Sequence, residues 1–194
     1  MARMRKRDRR RDLPSSEAHC HRRRHFLRGA AGLLGALSVT KAFAAPVSPR
    51  SLSLVHTHTG ETLTATYFDG SAYVPDALTQ MNGLLRDFRT GDVMPMDAAL
   101  FDILWDLQVA TNREAIFEII CGYRSPATNT MLHSRSSGVA EHSQHLLGKA
   151  IDLRLSGFST QRLAEYARSL GRGGVGFYAK SDFVHVDTGR VRFW

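Results

Sequence analysis

Three side chains that could bind a metal ion stand in two short segments near the C-terminal end of the sequence. His145 and Asp152 lie in the segment SQHLLGKAID, and His185 lies in the segment FVHVD. Imidazole nitrogen and carboxylate oxygen are ligands that zinc accepts, and a catalytic zinc usually takes three protein ligands and leaves a fourth position open. The residue types and their number therefore predict one zinc site built from His145, Asp152 and His185.

Alternation of apolar residues shows how these three side chains could meet. Successive side chains in a strand point to opposite faces. In residues 150–155 every second residue is apolar and Asp152 lies on the other face; residues 183–187 alternate in the same way, with His185 on the polar face. If the two strands pair, Asp152 and His185 share one face, and His145 reaches them from the preceding loop. The alternative is that the three are unrelated polar residues at strand ends.

Further motifs carry a resemblance to a known family. The pattern Ser-x-His-x-x-Gly-x-Ala-x-Asp followed by His-x-Asp resembles the zinc peptidases grouped as lysostaphin, D-Ala-D-Ala carboxypeptidases and sonic hedgehog. Within that group the chain is similar to the murein endopeptidase K-like enzymes, whose patterns include SGYRS and GGVGYY. The corresponding segments here are CGYRS at 121–125 and GGVGFY at 173–178. The likeness runs from about Ser51 to Trp194 and implies an α+β fold with one zinc ion.

The resemblance also implies roles for residues around the ligands. It assigns to Arg124 the binding of the peptide and the stabilisation of charge that develops on the scissile carbonyl. Tyr123, its neighbour at the end of a predicted strand, is a candidate substrate-binding residue. His142 is another, because it lies just before the first ligand in the sequence.

Two acidic residues are candidates for the general base. Some relatives place an acid three residues before the last ligand, and Asp182 occupies that position. Asp182 is on the wrong face of a regular strand, so this role requires the chain to turn at Ser181. Asp187 lies on the ligand face and is the alternative base, although it could instead orient a ligand histidine.

The first 44 residues have the features of an export signal. A basic tract and the segment RRHFLR at 23–28 precede an apolar stretch at 29–39 and a small-x-small site at 42–44. This order is typical of a cleaved twin-arginine signal peptide, and residues 45–194 are then predicted to form a single domain. Of the 26 Lys and Arg and 18 Asp and Glu, 12 and 3 lie in the leader, which leaves 14 and 15. A domain with this balance has no electrostatic basis for binding nucleic acid.

The rest of the sequence predicts helices interspersed with short strands. Residues Ser51 to Phe68 are predicted to form a β-hairpin in which His56 and His58 lie at a solvent-facing edge, with a metal pair as the alternative. Cys121 reads as a small buried residue that ends an apolar strand. The predicted helices cover Pro75 to about Gly91, Asp97 to Leu107, a short stretch after Pro126, and Ser159 to Leu170. This order predicts an α+β fold with a small antiparallel sheet.

These inferences combine into one expected function. The chain is predicted to be a monomeric zinc-dependent murein endopeptidase that acts on peptidoglycan cross-links in the periplasm or cell envelope, exported by the twin-arginine machinery. A D,D- or L,D-carboxypeptidase that uses the same metal chemistry is one alternative. A non-catalytic protein that binds zinc or peptidoglycan is the other.

Overall fold

A single mixed sheet connects most of the chain in this computed structural model, which describes residues 48–112, 116–136 and 138–194. Within these residues the strand order is β2-β1-β3-β4-β6-β5-β7. The strands are β1 (Arg50–His56), β2 (Thr62–Phe68), β3 (Phe117–Cys121), β4 (Ala150–Leu155), β5 (Gly174–Tyr178), β6 (Phe183–Asp187) and β7 (Arg192–Phe193). The helices are α1 (Pro75–Leu84), α2 (Ala98–Ala110), α3 (Pro126–Arg135) and α4 (Thr160–Leu170), with a 3-10 helix at Gln144–Leu147.

The pairing of the strands confirms the α+β prediction. Neighbouring strands run antiparallel except for β1 with β3 and β5 with β7, which are parallel. No helix among the described residues combines the length and the apolar character that a bilayer span requires. The predicted leader, residues 1–44, lies outside the described residues.

One face of the sheet carries the core. Ile151, Val186 and Val175 stand directly opposite one another on β4, β6 and β5, and all three are buried. Helix α4 packs on these strands and also contacts α2. Burying an aliphatic side chain of this size contributes about 1.5–3 kcal/mol. The alternation that buries these residues turns the residues between them to the opposite face, where the candidate metal ligands lie.

The prediction for the first helix was wrong at its C-terminal end. Helix α1 ends at Leu84, whereas periodicity predicted a helix to about Gly91. The intervening residues form turns around Asp87, whose carboxylate accepts a hydrogen bond from the backbone N–H of Arg89 at 3.0 Å. The N–H of Gly91 donates to the carbonyl of Asp87 at 2.7 Å. Short polar side chains that bond to nearby backbone groups compete with helix formation in this way.

The solvent-facing position predicted for His56 was also wrong. Strand β1 lies between β2 and β3, and His56 is only 1% exposed. Its Nδ1 accepts a hydrogen bond from the backbone N–H of His58 at 3.2 Å, and its ring packs edge-on against Phe88. His58 is exposed and stacks on the same phenyl ring. Both histidines therefore pack against Phe88 in the turn that follows α1.

A buried carboxylate joins the turn after α1 to the start of α3. Asp87 is 1% exposed, and its Oδ2 accepts a hydrogen bond from the N–H of Ser125 at 2.9 Å. Ser125 in turn caps α3, because its Oγ accepts from the N–H of Thr128 at 3.3 Å. Burial opposes ionisation of Asp87, but hydrogen bonds from Thr128 and Ser125 outweigh it and lower the pKa of the carboxyl. Asp87 thereby fixes the chain beside Arg124.

We expect Asp87→Ala to lower the free energy of unfolding by about 1–3 kcal/mol, because the buried N–H of Ser125 loses its acceptor. Because the folded pKa is lowered, the stabilisation is present above the unfolded pKa and is lost as the pH falls through the folded pKa. The difference between wild type and variant should therefore narrow in acid, as measured by urea denaturation at several pH values. Glu165→Ala is the control, since this exposed side chain on α4 accepts a hydrogen bond from Gln161 one turn away on the same helix and is not part of the Asp87 network.

Candidate metal centre and active-site cleft

The pairing of β4 with β6 brings the three predicted metal ligands together. Asp152 and His185 are directly opposite in the antiparallel ladder, and Asp152 Oδ1 lies 2.8 Å from His185 Nδ1. His145 enters from the 3-10 helix, with its Nε2 3.3 Å from Asp152 Oδ1 and 3.2 Å from His185 Nδ1. All three residues are at least 93% buried.

These distances fit one face of a tetrahedral metal site. Bonds of about 2.0 Å to nitrogen and oxygen place neighbouring tetrahedral ligand atoms about 3.3 Å apart. The ring nitrogens that face away from the cluster have acceptors of their own. His145 Nδ1 donates to the carbonyl of Gly122 at 2.7 Å, and His185 Nε2 donates to Asp187 Oδ2 at 3.0 Å. Both histidines therefore direct the other nitrogen, which can carry a lone pair, toward the centre.

The electrostatics of the cluster favour a positive charge at its centre. Burial disfavours a charged His145, but the Asp152 carboxylate outweighs burial and raises the pKa of His145 to about 10. Burial likewise disfavours a charged Asp152, yet the interactions with His145 and His185 lower the pKa of its carboxyl. A buried carboxylate beside two imidazoles is thus a site that takes up a cation, either a proton or a metal ion.

The loop before β4 is held in a fixed shape that presents His145. Ser143 Oγ accepts a hydrogen bond from the N–H of His145 at 3.3 Å and so begins the 3-10 helix. Gly148 ends it with φ of 65°, a left-handed conformation that glycine adopts without strain. A Cβ atom at this position would lie 2.6 Å from the carbonyl oxygen of Pro95. The sequence requires glycine here both for the turn and for the close approach.

Asp187 lies behind His185 and is completely buried. Its carboxylate accepts the hydrogen bond from His185 Nε2 and forms a two-point ion pair with Arg192, at 3.0 and 2.6 Å. The N–H groups of Gly174 and Gly189 donate to it as well. Burial opposes its charge, but the hydrogen bonds from His185 and Arg192 lower the pKa of the carboxyl. With every lone pair directed at these partners, Asp187 is arranged to orient the ring of His185.

Asp182 and Tyr123 lie outside the cluster. Asp182 sits at the end of the β5–β6 turn with φ of 50°, and its Oδ1 accepts a hydrogen bond from Thr160 Oγ1 at 2.6 Å. Its other oxygen lies 3.6 Å from Arg154. Tyr123 is 8% exposed and belongs to the hydrophobic core. Neither side chain lines the cleft above the ligands.

Arg124 stands beside the ligands. Its Nη2 is 3.9 Å from Asp152 Oδ2, and its Nη1 donates to Asn129 Oδ1 at 3.3 Å. Asn129 also donates from Nδ2 to the carbonyls of Ala140 and Glu141, at 3.2 and 3.1 Å. This buried amide therefore couples the guanidinium to the loop that carries His142. Sequence reasoning did not find this role, because nothing in the local pattern distinguishes Asn129 from an ordinary helix residue.

The ligands lie in an open cleft of about 550 Å³. One wall is the loop with Val139, Ala140 and His142, and the other is aromatic. The aromatic wall is a continuous chain of rings, since Tyr178 stacks on Phe183 at 4.5 Å and accepts a hydrogen bond from Trp194 Nε1 at 2.9 Å. The cleft has the candidate metal ligands at its base and two walls of different character. An open cleft of this kind can accommodate an extended peptide substrate.

Comparison with known proteins gives the cleft a family context. A profile of the family described as "Peptidase_M15_2: Peptidoglycan L,D-endopeptidase MepK" matches residues 44–194. The chain belongs to this MepK family. The peptidoglycan L,D-endopeptidase MepK of Escherichia coli strain K12 is 39% identical over 176 residues, which cover 90% of this chain and 97% of that relative. The probable peptidoglycan L,D-endopeptidase MepK of Haemophilus influenzae is 43% identical over 147 residues, 75% of this chain and 79% of the relative.

The glycine segment of this MepK-family chain allows the indole of Trp194 to pack close to the backbone beside His185. The glycines between positions 171 and 176 predict a close backbone approach beside the site. Gly176 stands opposite His185 on the ligand face, and a Cβ there would lie 2.6 Å from the indole of Trp194. The indole rests on this bare backbone with its ring centre 5.3 Å from that of His185. The sequence alone assigned no role to Trp194. The glycine at position 176 was the one feature from which a close neighbour at this point could have been inferred.

We expect Asp187→Asn to weaken metal binding by about 10- to 100-fold, because the amide cannot hold the ring of His185 as a carboxylate does. The measurement is competition with a chromophoric chelator. Asp182→Asn is the matched control and should bind metal as wild type does, since its carboxylate contacts only Thr160 and Arg154 in this region. Equal affinities for the two variants would contradict the orienting role.

Proposed function

We propose that this chain is a zinc-dependent murein endopeptidase that hydrolyses peptide cross-links of peptidoglycan. The observation that carries the proposal is the cluster of His145 Nε2, Asp152 Oδ1 and His185 Nδ1, which lie 2.8–3.3 Å from one another at the base of an open cleft. The relatives from Escherichia coli and Haemophilus influenzae support the substrate, because they carry the name peptidoglycan L,D-endopeptidase.

The proposed cofactor is one zinc ion held by His145, Asp152 and His185. Two imidazoles and one carboxylate form a donor set that suits zinc and leaves a coordination position open. When bound there, zinc would act as a Lewis acid on the scissile carbonyl and would lower the pKa of a water molecule toward neutrality. The remaining steps depend on side chains of the cleft.

We assign proton acceptance to His142. The acids predicted for this role are not among the residues that line the cleft: Asp182 contacts Thr160, and Asp187 is buried behind His185. Of the described residues that line it, His142 is the imidazole or carboxylate that remains once the three ligands are set aside. It is exposed, so it can take a proton from the attacking water and pass it to the leaving amine.

Arg124 is the proposed partner of the substrate carbonyl. It lines the cleft, and its Nη1 donates a hydrogen bond to Asn129 Oδ1 at 3.3 Å, which fixes the guanidinium. A fixed cation stabilises negative charge on the carbonyl oxygen better than a mobile one, because no reorganisation is needed as charge develops. Its position beside Asp152 supports this role.

The proposal extends to export and location. Residues 1–44 are proposed to be a twin-arginine signal peptide and residues 45–194 a monomeric peptidase domain in the periplasm or cell envelope. Support comes from the family match, which begins at residue 44, where the predicted leader ends. A peptidoglycan substrate also requires access to the compartment that contains the cell wall.

The proposal is tested by incubating purified cross-linked peptidoglycan with the zinc-loaded full chain and analysing the products by liquid chromatography and mass spectrometry. We expect cross-linked dimers to become monomers, with product masses that identify the cleaved bond. His145→Ala, Asp152→Ala and His185→Ala should each lose both stoichiometric zinc and this conversion. Loss of only a terminal residue from the stem peptide would indicate a carboxypeptidase instead, and full activity in any ligand variant would refute the metal assignment.

The role of His142 has a separate test. We expect His142→Ala to lose most of its turnover while it retains stoichiometric zinc, because the ligands are unchanged. Added imidazole should restore part of the activity, since the exposed position leaves space for a free base. His58→Ala, an exposed histidine stacked on Phe88, is the matched control and should have normal activity without a response to imidazole. A His142→Ala enzyme that turns over normally, or that imidazole does not rescue, would exclude this residue as the base.

A further inference from the structure

Cys121 lies in the same cross-strand row as two of the proposed metal ligands. In the sheet, Cys121 pairs with Asp152, Asp152 with His185, and His185 with Gly176. Residues directly opposite in antiparallel strands project from the same face. A register irregularity between Ile119 and Cys121 produces this arrangement, because without it the intervening residue would stand opposite Asp152. The bulge therefore turns the thiol toward the metal centre.

The thiol is within reach of the ligand atoms. One ligand atom each from Cys121, His145 and Asp152 all lie within 4.8 Å of one another, and all three residues are buried. In the present arrangement Cys121 Sγ contacts Arg124 Nη2 at 3.6 Å and the carbonyl oxygen of Gly122 at 3.7 Å. These are weak contacts for sulfur, which is a poor hydrogen-bond donor and acceptor. The thiol also interacts with the imidazole of His145, one of the proposed ligands, so it lies directly beside the cluster.

We propose that Cys121 is a fourth protein ligand in a closed form of the metal site. In tetrahedral zinc coordination, bonds of about 2.0 Å to nitrogen and about 2.3 Å to sulfur place these two atoms about 3.5 Å apart. Because the thiol lies within 4.8 Å of ligand atoms of His145 and Asp152, closure requires a local shift of the sulfur, which a change in the side-chain torsion of Cys121 can supply. The inference rests on the proposed ligands His145, Asp152 and His185.

The two positions of the thiol would have different chemical consequences. Sulfur binds metal as the thiolate, so ligation releases the thiol proton to solvent. The metal then has four protein ligands, as in structural zinc sites, and the position needed by water is filled. When the sulfur returns to its place beside Arg124 and Gly122, the fourth position opens.

X-ray absorption spectroscopy of the zinc-loaded full chain is the direct test. The chain has two cysteines, so a Cys20→Ser background makes Cys121 the single thiol. We expect a sulfur scatterer at about 2.3 Å from zinc in addition to nitrogen and oxygen neighbours. In the same background, the Co²⁺-loaded protein should show a near-ultraviolet sulfur-to-cobalt charge-transfer band. Both signals should disappear in Cys121→Ser, because a hydroxyl replaces the thiol at the same position.

The possible outcomes separate this inference from the proposed function. Zinc bound through nitrogen and oxygen alone in the Cys20→Ser protein would overturn the closed form and leave the three proposed ligands intact. A charge-transfer band that persists in Cys121→Ser would also overturn it. Failure of the Cys20→Ser protein to bind any metal would overturn both proposals. Circular dichroism and metal stoichiometry of Cys121→Ser show whether the variant folds and keeps the other ligands, so that loss of the sulfur signals can be attributed to the thiol.

Discussion

The register between β4 and β6 is the constraint on which the rest of the site depends. Side chains alternate along a strand with a period of two, so a slip of one residue would exchange the core and ligand faces of β4. The buried row of Ile151, Val186 and Val175 resists such a slip, because it would expose apolar side chains and bury Asp152 among them. The hydrophobic core therefore fixes the position of the proposed metal ligands, although it contributes no ligand atom itself.

The site also places two buried carboxylates on opposite sides of His185, an arrangement that is stable only with compensating charge. Arg192 balances the charge of Asp187, and two backbone N–H groups also donate hydrogen bonds to this carboxylate. Asp152 has Arg124 at 3.9 Å and two histidines, so its compensation depends on a proton or a cation at the centre. Removing one partner of a buried charge is costly, typically about 3–5 kcal/mol. The outer carboxylate thus supports the fold and orients the ring, while the inner one remains available for metal binding.

The parts of this structure that sequence could predict are those determined by local periodicity. Alternation in residues 150–155 and 183–187 predicted two strands that share a polar face, and the structure pairs Asp152 with His185. The C-terminal end of α1 was not predictable from periodicity, because the Asp87 carboxylate bonds to Ser125, a partner 38 residues away. The hydrogen bonds that join Asn129 to Arg124 and to the following loop were likewise not predictable from periodicity. Such contacts depend on how distant segments meet, and a single sequence does not contain that information in its local pattern.

The residues proposed to bind metal and the residues that would select the substrate lie on different parts of the fold. The proposed ligands Asp152 and His185 belong to central strands, whereas the cleft walls come from the loop with His142 and from the aromatic residues Tyr178 and Trp194. Asn129 joins the loop wall to Arg124. The absence of a side chain at Gly176 lets Trp194, in the aromatic wall, pack beside His185. Changes in the loop can alter the width of the cleft without moving the ligands, because these are fixed by the core. An endopeptidase and a carboxypeptidase can therefore share one metal centre and differ only in the walls that admit or exclude the chain beyond the scissile bond.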